Sequence, residues 1–139
     1  MTAEGMIDTN ILVYAASRLS EDSDKAAVAR PLLLQPGIGL SAQVLQEFIV
    51  VSTRKVRSPW SIDDALDWVE TLEDYPCLPI DGALVRYGAE LAVRHKVSYW
   101  DGAILAAALR LNAAILYTED LNHGQTYGSV RVVNPFLPA

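Results

Sequence analysis

Strand-like and helix-like stretches alternate along this sequence from end to end, with no linker or repeat between them. That alternation constrains the fold more than any other feature. Parallel strands need crossover helices, and the helices must bury their apolar faces on the sheet. The expected architecture is an α/β/α sandwich with a central, mostly parallel sheet, formed by residues 1–139 as one domain. A chain of 139 residues suits one domain with a sizeable core, and 51% hydrophobic content excludes a disordered chain.

The first strand-to-helix corner is Met6-Ile7-Asp8-Thr9-Asn10-Ile11. Met6-Ile7 reads as the end of a buried strand, Thr9 and Asn10 as caps, and 11–16 as a helix start that runs to about Ser17. Further helices are expected at 25–34, with Pro31 shortening or kinking it, and at 42–55, 61–73, 82–95 and 99–111. Ser61, Asp81 and Ser98 are their expected caps where one is evident. Strands are expected at 38–41, 77–80, 113–117 and 130–133, with a polar loop at 118–128.

No apolar run approaches the roughly 20 residues that span a membrane. No signal peptide is evident at the start of the chain. Cys77, the only cysteine, excludes an internal disulfide and suits a reducing cytoplasm; its apolar neighbours suggest core packing. The net charge of −6 argues against binding nucleic acid through a broad basic surface. A polyanionic substrate would need local compensation, which divalent cations supply; a basic protein partner suits the same charge.

Most of the 17 acidic residues lie in polar runs or early helical turns. Four stand elsewhere. Asp8 sits at the carboxyl edge of a strand, where open α/β sheets bind ligands. Glu47 borders an apolar helix face beside Val44, Val50 and Val51. Asp101 heads a stripe of Ile104, Leu105 and Ala108. Asp120 follows the 113–117 strand in phase with Leu116 and Thr118. Simpler roles exist for each: Asp8 as a helix cap, Glu47 as a surface-edge residue, Asp101 in a capping box with Ser98, Asp120 in a turn. Brought together, four such carboxylates repel one another unless cations intervene. Mg²⁺ or Mn²⁺ suits oxygen ligands better than zinc does, because no histidine or cysteine cluster is present; His95 and His123 lie in polar contexts.

These segments resemble a known family over nearly the whole chain: residues 6–14, Val44-Leu45-Gln46-Glu47-Phe48, Ser98-Tyr99-Trp100-Asp101-Gly102-Ala103-Ile104 and Leu116-Tyr117-Thr118-Glu119-Asp120-Leu121, with the ending from Gly124 to Asn134-Pro135-Phe136. In that order the sequence is similar to PIN-domain ribonucleases, and specifically to VapC-type toxins of type II toxin–antitoxin systems. The resemblance implies a Mg²⁺- or Mn²⁺-dependent endoribonuclease with an RNA substrate, inhibition by a cognate VapB-type antitoxin, and a homodimer. It makes Asp8 and Asp101 the principal metal ligands, with Glu47 and Asp120 completing the acidic set. Glu119 rivals Asp120 for the fourth place. Thr9, Asn10 and Thr118 match polar positions that order the site, or else serve as caps and turn residues.

Arg54, Lys55 and Arg57 either guide RNA at the rim or complement a helix C-terminus. An amphipathic antitoxin segment would lie in an apolar groove and send a basic residue into the acids. Trp60, Trp68 and Val50 are candidates for apolar contact surfaces, and equally for the core. The main alternative is a catalytically silent PIN-like module that binds RNA or protein. A haloacid-dehalogenase-type phosphatase would need an acid where Asn10 stands.

Overall fold

The computed structural model describes residues 1–138. Its strands are β1 (Gly5–Ile7), β2 (Ile38–Ser41), β3 (Cys77–Leu78), β4 (Ile115–Tyr117), β5 (Thr126–Tyr127) and β6 (Val130–Val133). They form one sheet in the order β3-β2-β1-β4-β6-β5, parallel throughout except for β5, which runs antiparallel to β6. The chain builds outward from β1 to β2 and β3, then returns to the other side of β1 to add β4. The order therefore reverses between β1 and β4, the place where a crevice opens at the carboxyl ends of the strands.

The helices are α1 (Thr9–Ala16), α2 (Ser23–Leu33), α3 (Ala42–Val50), α4 (Ile62–Glu70), α5 (Gly82–His95) and α6 (Tyr99–Arg110). The right-handed crossover rule places the helices of the β1-to-β2 and β2-to-β3 connections on one face. The return to β4 carries α5 and α6 onto the other. The packing agrees: α1 contacts α2 and α3, α3 contacts α4, and α5 lies along α6. Met6, Ile7, Leu12, Leu40, Phe48, Leu105, Leu116 and Val132 fill the core between these layers.

The expected sandwich is thus observed, with local departures. Pro31 does not break α2 in mid-course; it lies in the last turn, and Ala27, whose carbonyl loses its partner, is on the exposed side. A 3₁₀ turn, Ser20–Asp22, occupies the polar run before α2. The helix expected over 42–55 ends its α-helical part at Val50 and continues as a π-helical turn, Val51–Lys55. There the Ser52 and Thr53 hydroxyls donate to the carbonyls of Phe48 and Ile49, both at 2.7 Å, competing with the regular helical ladder. The 118–128 loop contains β5, which local sequence did not signal because its pairing comes from β6.

Two glycines bring α5 and α6 together. A Cβ on Gly88 would lie 2.9 Å from the Ala103 Cα, and one on Gly102 would overlap the Gly88 carbonyl oxygen and approach the Ala92 amide nitrogen at 2.9 Å. This close approach seats the first turn of α6, and Asp101 with it.

Candidate active site

Asp8 follows β1 directly. Ile7 is paired with Tyr117 of β4, and the Asp8 amide donates to the Tyr117 carbonyl at 3.0 Å. The carboxylate is buried, yet both oxygens are held: Oδ1 accepts from the Thr9 amide at 2.7 Å and Oδ2 from the Thr118 hydroxyl at 2.8 Å. Asp8, rather than Thr9 or Asn10, stands at the cap position of α1. It does not make the ordinary cap bond, which reaches the second or third helical amide. Burial pushes its pKa up to about 6. The bonds from Thr118 and Thr9 oppose that rise, and the charges of Asp120 and Glu47 add to it.

Glu47 lies half-buried on α3 and faces α1. Its Oε2 accepts from the Thr9 hydroxyl at 3.0 Å, and its Oε1 from the Gln43 amide at 2.9 Å. Thr9 therefore serves two acids, with its amide on Asp8 and its hydroxyl on Glu47. Gln43 was not anticipated from the sequence. Its position four residues before Glu47, one turn earlier on the same helix face, was the available signal.

Asp101 sits in the first turn of α6. Its amide donates to the Ser98 hydroxyl at 3.1 Å, as a cap requires. The return bond of a capping box is missing, and among the described residues the Asp101 carboxylate takes no hydrogen bond. Its charge is felt at Asp120 and at Tyr127.

Asp120 stands at the exposed rim, in a turn where its amide donates to the Thr118 hydroxyl at 3.1 Å. The Asn10 amide reaches its carboxylate at 3.5 Å. Partial burial, then the charges of Glu119, Asp101 and Glu47, push its pKa up. Glu119 is engaged elsewhere: Lys25 Nζ donates to it at 3.0 Å and the Tyr14 hydroxyl at 3.2 Å. Of the two rivals, Asp120 is the one directed to the other acids.

Asp120 thus lies within electrostatic reach of Asp8, Glu47 and Asp101, Asp8 also feels Glu47, and among the described residues none of the four has an ion pair. Thr9, Asn10 and Thr118 all bond to this set. Among the described residues no three histidine, cysteine or acidic side chains stand close enough together to hold a metal ion. The donors present are carboxylates, hydroxyls and amides, an oxygen-rich set of the kind that hard divalent cations take. It does not suit a structural zinc site, which needs four close donors.

The basic cluster divides. Lys55 lines the groove that contains Glu47, Arg54 is exposed, and Arg57 is paired with Glu21 away from the acids. His95 stacks edge-on with Tyr127, and His123 accepts from the Asn134 amide, so neither joins the acids. Trp60 and Trp68 pack on Phe48, whereas Val50 is exposed. Cys77 is half-buried at β3 rather than enclosed in the core. No helix is long and apolar enough to cross a membrane.

Comparison with known proteins adds the family. Among curated proteins none matches this chain. Solved structures with the same fold include a toxin–antitoxin complex from Klebsiella pneumoniae, 20% identical, covering 95% of this chain and 98% of that one with a TM-score of 0.68. Another is VapC20 of Mycobacterium tuberculosis, described as a sarcin–ricin-loop-cleaving toxin. It is 16% identical and covers 84% of this chain and 89% of that one, with a TM-score of 0.66. A third is VapBC2 of Rickettsia felis bound to a DNA fragment from its promoter, 18% identical, covering 92% and 96% with a TM-score of 0.59. The model of the PIN domain family matches residues 5–128, and the chain belongs to that family.

Proposed function

We propose that this PIN domain, residues 1–139 acting as one unit, is a metal-dependent endoribonuclease toxin of the VapC type, acting in the cytoplasm on RNA phosphodiester bonds. Support comes above all from the buried Asp8 carboxyl, which feels the charges of Asp120 and Glu47 and has no ion-pair partner among the described residues. A carboxylate desolvated this far is costly unless the site has a positive guest.

Asp8 and Asp101 are the proposed principal ligands for Mg²⁺ or Mn²⁺, with Glu47 and Asp120 completing the acidic set. When bound, the metal supplies an activated water and charge stabilisation for phosphodiester hydrolysis. The chain's own residues prepare the site. Thr118 and the Thr9 amide hold the Asp8 carboxylate in one orientation; Thr9 and Gln43 hold Glu47. Asn10 steadies Asp120 at the mouth. Bonds to charged acceptors of this kind are worth about 1.5–3 kcal/mol each. They fix ligand positions before a metal arrives.

Control by a VapB-type antitoxin and homodimerisation complete the proposal. An apolar groove of about 220 Å³ runs beside the end of α1, lined by Val13, Leu19, Phe48, Val56 and Trp60, with Arg18 at its rim. It offers a seat for an amphipathic antitoxin segment.

The test is an end-mapped digest of total RNA by antitoxin-free protein with Mg²⁺, Mn²⁺ or EDTA, beside Asp8→Asn protein prepared identically. Discrete cuts that need metal and vanish in the variant are expected. Identical fragments from both proteins would remove the nuclease, and no cuts at all would favour a silent binding module.

A further inference from the structure

Trp100 is the most exposed aromatic side chain of the molecule's apolar surface, 64% accessible, and it directly precedes Asp101. Tyr99 braces it edge-on, with ring centres 5.1 Å apart. On one side it borders a groove of about 500 Å³ shared with Gln43, Gln46, Glu47, Val50 and Lys55. On the other it borders a second groove of about 320 Å³, floored by Ile80, Leu84 and Val85. The indole therefore stands as a partition between two clefts, each in the size range of about 300–1,000 Å³ typical of small-ligand sites.

The larger groove is not a plain apolar face. It contains the Glu47 carboxylate, whose charge also reaches Asp8 and Asp120. It also holds two side-chain amides, and at its end stands Lys55, which has no ion pair among the described residues. An uncovered aromatic plane, amides that can both donate and accept, and a cation, all beside a cluster of acids, match the parts of one nucleotide: base face, base edge and phosphate.

We propose that Trp100 is a stacking platform for an unpaired RNA base, with Gln46 meeting the base edge and Lys55 a phosphate, so that this groove holds the nucleotide next to the bond presented to the acids. It rests on the nuclease function proposed above and names where the substrate is gripped. Stacking needs a splayed base, so the preferred RNA is single-stranded or looped at this position. The groove's amides and lysine favour a nucleotide over a second copy of this chain, whose apolar contact would strand Lys55 and Glu47 against it.

The test uses the Asp8→Asn chain, which is expected to hold RNA uncut, and a short dye-labelled oligouridylate in Mg²⁺, with affinity read from the anisotropy of the dye and stacking from tryptophan quenching. Trp60 and Trp68 pack against Phe48 and give a steady background. Adding Trp100→Ala should weaken binding roughly 5- to 150-fold and abolish quenching, and Trp100→Phe should restore most of the affinity. Replacing one base of the oligonucleotide by an abasic residue should cost affinity with Trp100 present and cost little with alanine there. Equal binding by the alanine variant, or the same abasic penalty in both, overturns the proposal, as does failure of the parent chain to bind. A change in sedimentation mass in Trp100→Ala assigns the face to a second copy and also overturns it. The two functional statements separate cleanly. Metal-dependent cutting indifferent to Trp100 sinks only the stacking site, whereas Trp100-dependent binding with no cutting by the unsubstituted protein sinks only the nuclease.

Discussion

Asp120 and Glu119 are adjacent in sequence and live in opposite surroundings. Two side chains one turn apart on α1 meet them: Asn10 reaches Asp120, and Tyr14 reaches Glu119. Around Glu119 the fold is complete. Lys25 bonds to both Glu119 and the Tyr14 hydroxyl, lies over the Tyr14 ring, and Phe136 packs edge-on against that ring. Asp120 lies within reach of the charges of Asp8, Glu47 and Asp101, and among the described residues no lysine or arginine pairs with any of these four. The same chain thus neutralises one acid thoroughly and leaves its neighbour among unpaired ones. The chain places a cation on Glu119 and none, among the described residues, on the acids beside it, which is the condition the proposed metal site requires.

The comparison breaks first on activity. Asp8→Asn should lower metal-dependent RNA cleavage by on the order of 10²-fold or more, Asp120→Asn by less, and Glu119→Gln by under about threefold. Rates on one fixed RNA substrate decide it. A loss in Glu119→Gln comparable with that in Asp8→Asn would erase the distinction between the two regions.

The metal-free protein offers the next contrast. Asp8 has its pKa raised from 3.8 to about 6 in the folded chain. The native state therefore holds this proton more tightly than the unfolded state. The contribution of Asp8 to stability is greatest below about pH 3.8, is lost as pH rises toward 6, and is flat above. The span corresponds to about 3 kcal/mol. Melts in EDTA should show wild type losing stability relative to Asp8→Asn across that window. Mg²⁺ at about 100 times its Kd should return about 2.7 kcal/mol to wild type at neutral pH, and less to the variant. Parallel pH curves for the two proteins would mean that Asp8 is comfortable when ionised and that the cleft stores no repulsion.

The sequence carried the edges of this site well and its interior poorly. Asp8 and Asp120 were legible because strand ends and period-two phase are local properties. Glu47 and Asp101 were legible because each interrupts a helical apolar pattern. The grip of Thr9 on both Asp8 and Glu47 was not, because it depends on how α1 meets α3. The capture of Glu119 by Lys25 spans 94 positions and leaves no trace in local pattern. The apolar run around Gly102 suggested a buried helix, but not that α5 presses on it at Gly88. That contact is also a test of how firmly Asp101 is seated. Gly102→Ala should cost about 1–3 kcal/mol by overpacking and reduce cleavage beyond what the stability loss explains. Full activity in a correctly folded variant would show that α6 can shift without displacing the acid.

The smallest expected effect is the most direct comparison of signs. In the cleft, removing a charge should stabilise the metal-free fold; in the Lys25 cluster, removing one should do the opposite. Lys25 is partly exposed, with 41% of its side chain accessible against 20% for Glu119, so solvent screens the pair. Lys25→Met should cost only about 0.5–1 kcal/mol at low salt, and less at high salt. Glu119→Gln in the same protein should recover part of that loss, because it removes the acid left without its partner. A double-mutant cycle in EDTA measures the coupling. A favourable coupling here, beside a stabilising Asp101→Asn in the cleft, would establish that two neighbouring groups of acids in one small fold are under opposite electrostatic demands. A destabilising Asp101→Asn would instead make that acid part of the cap that Ser98 begins.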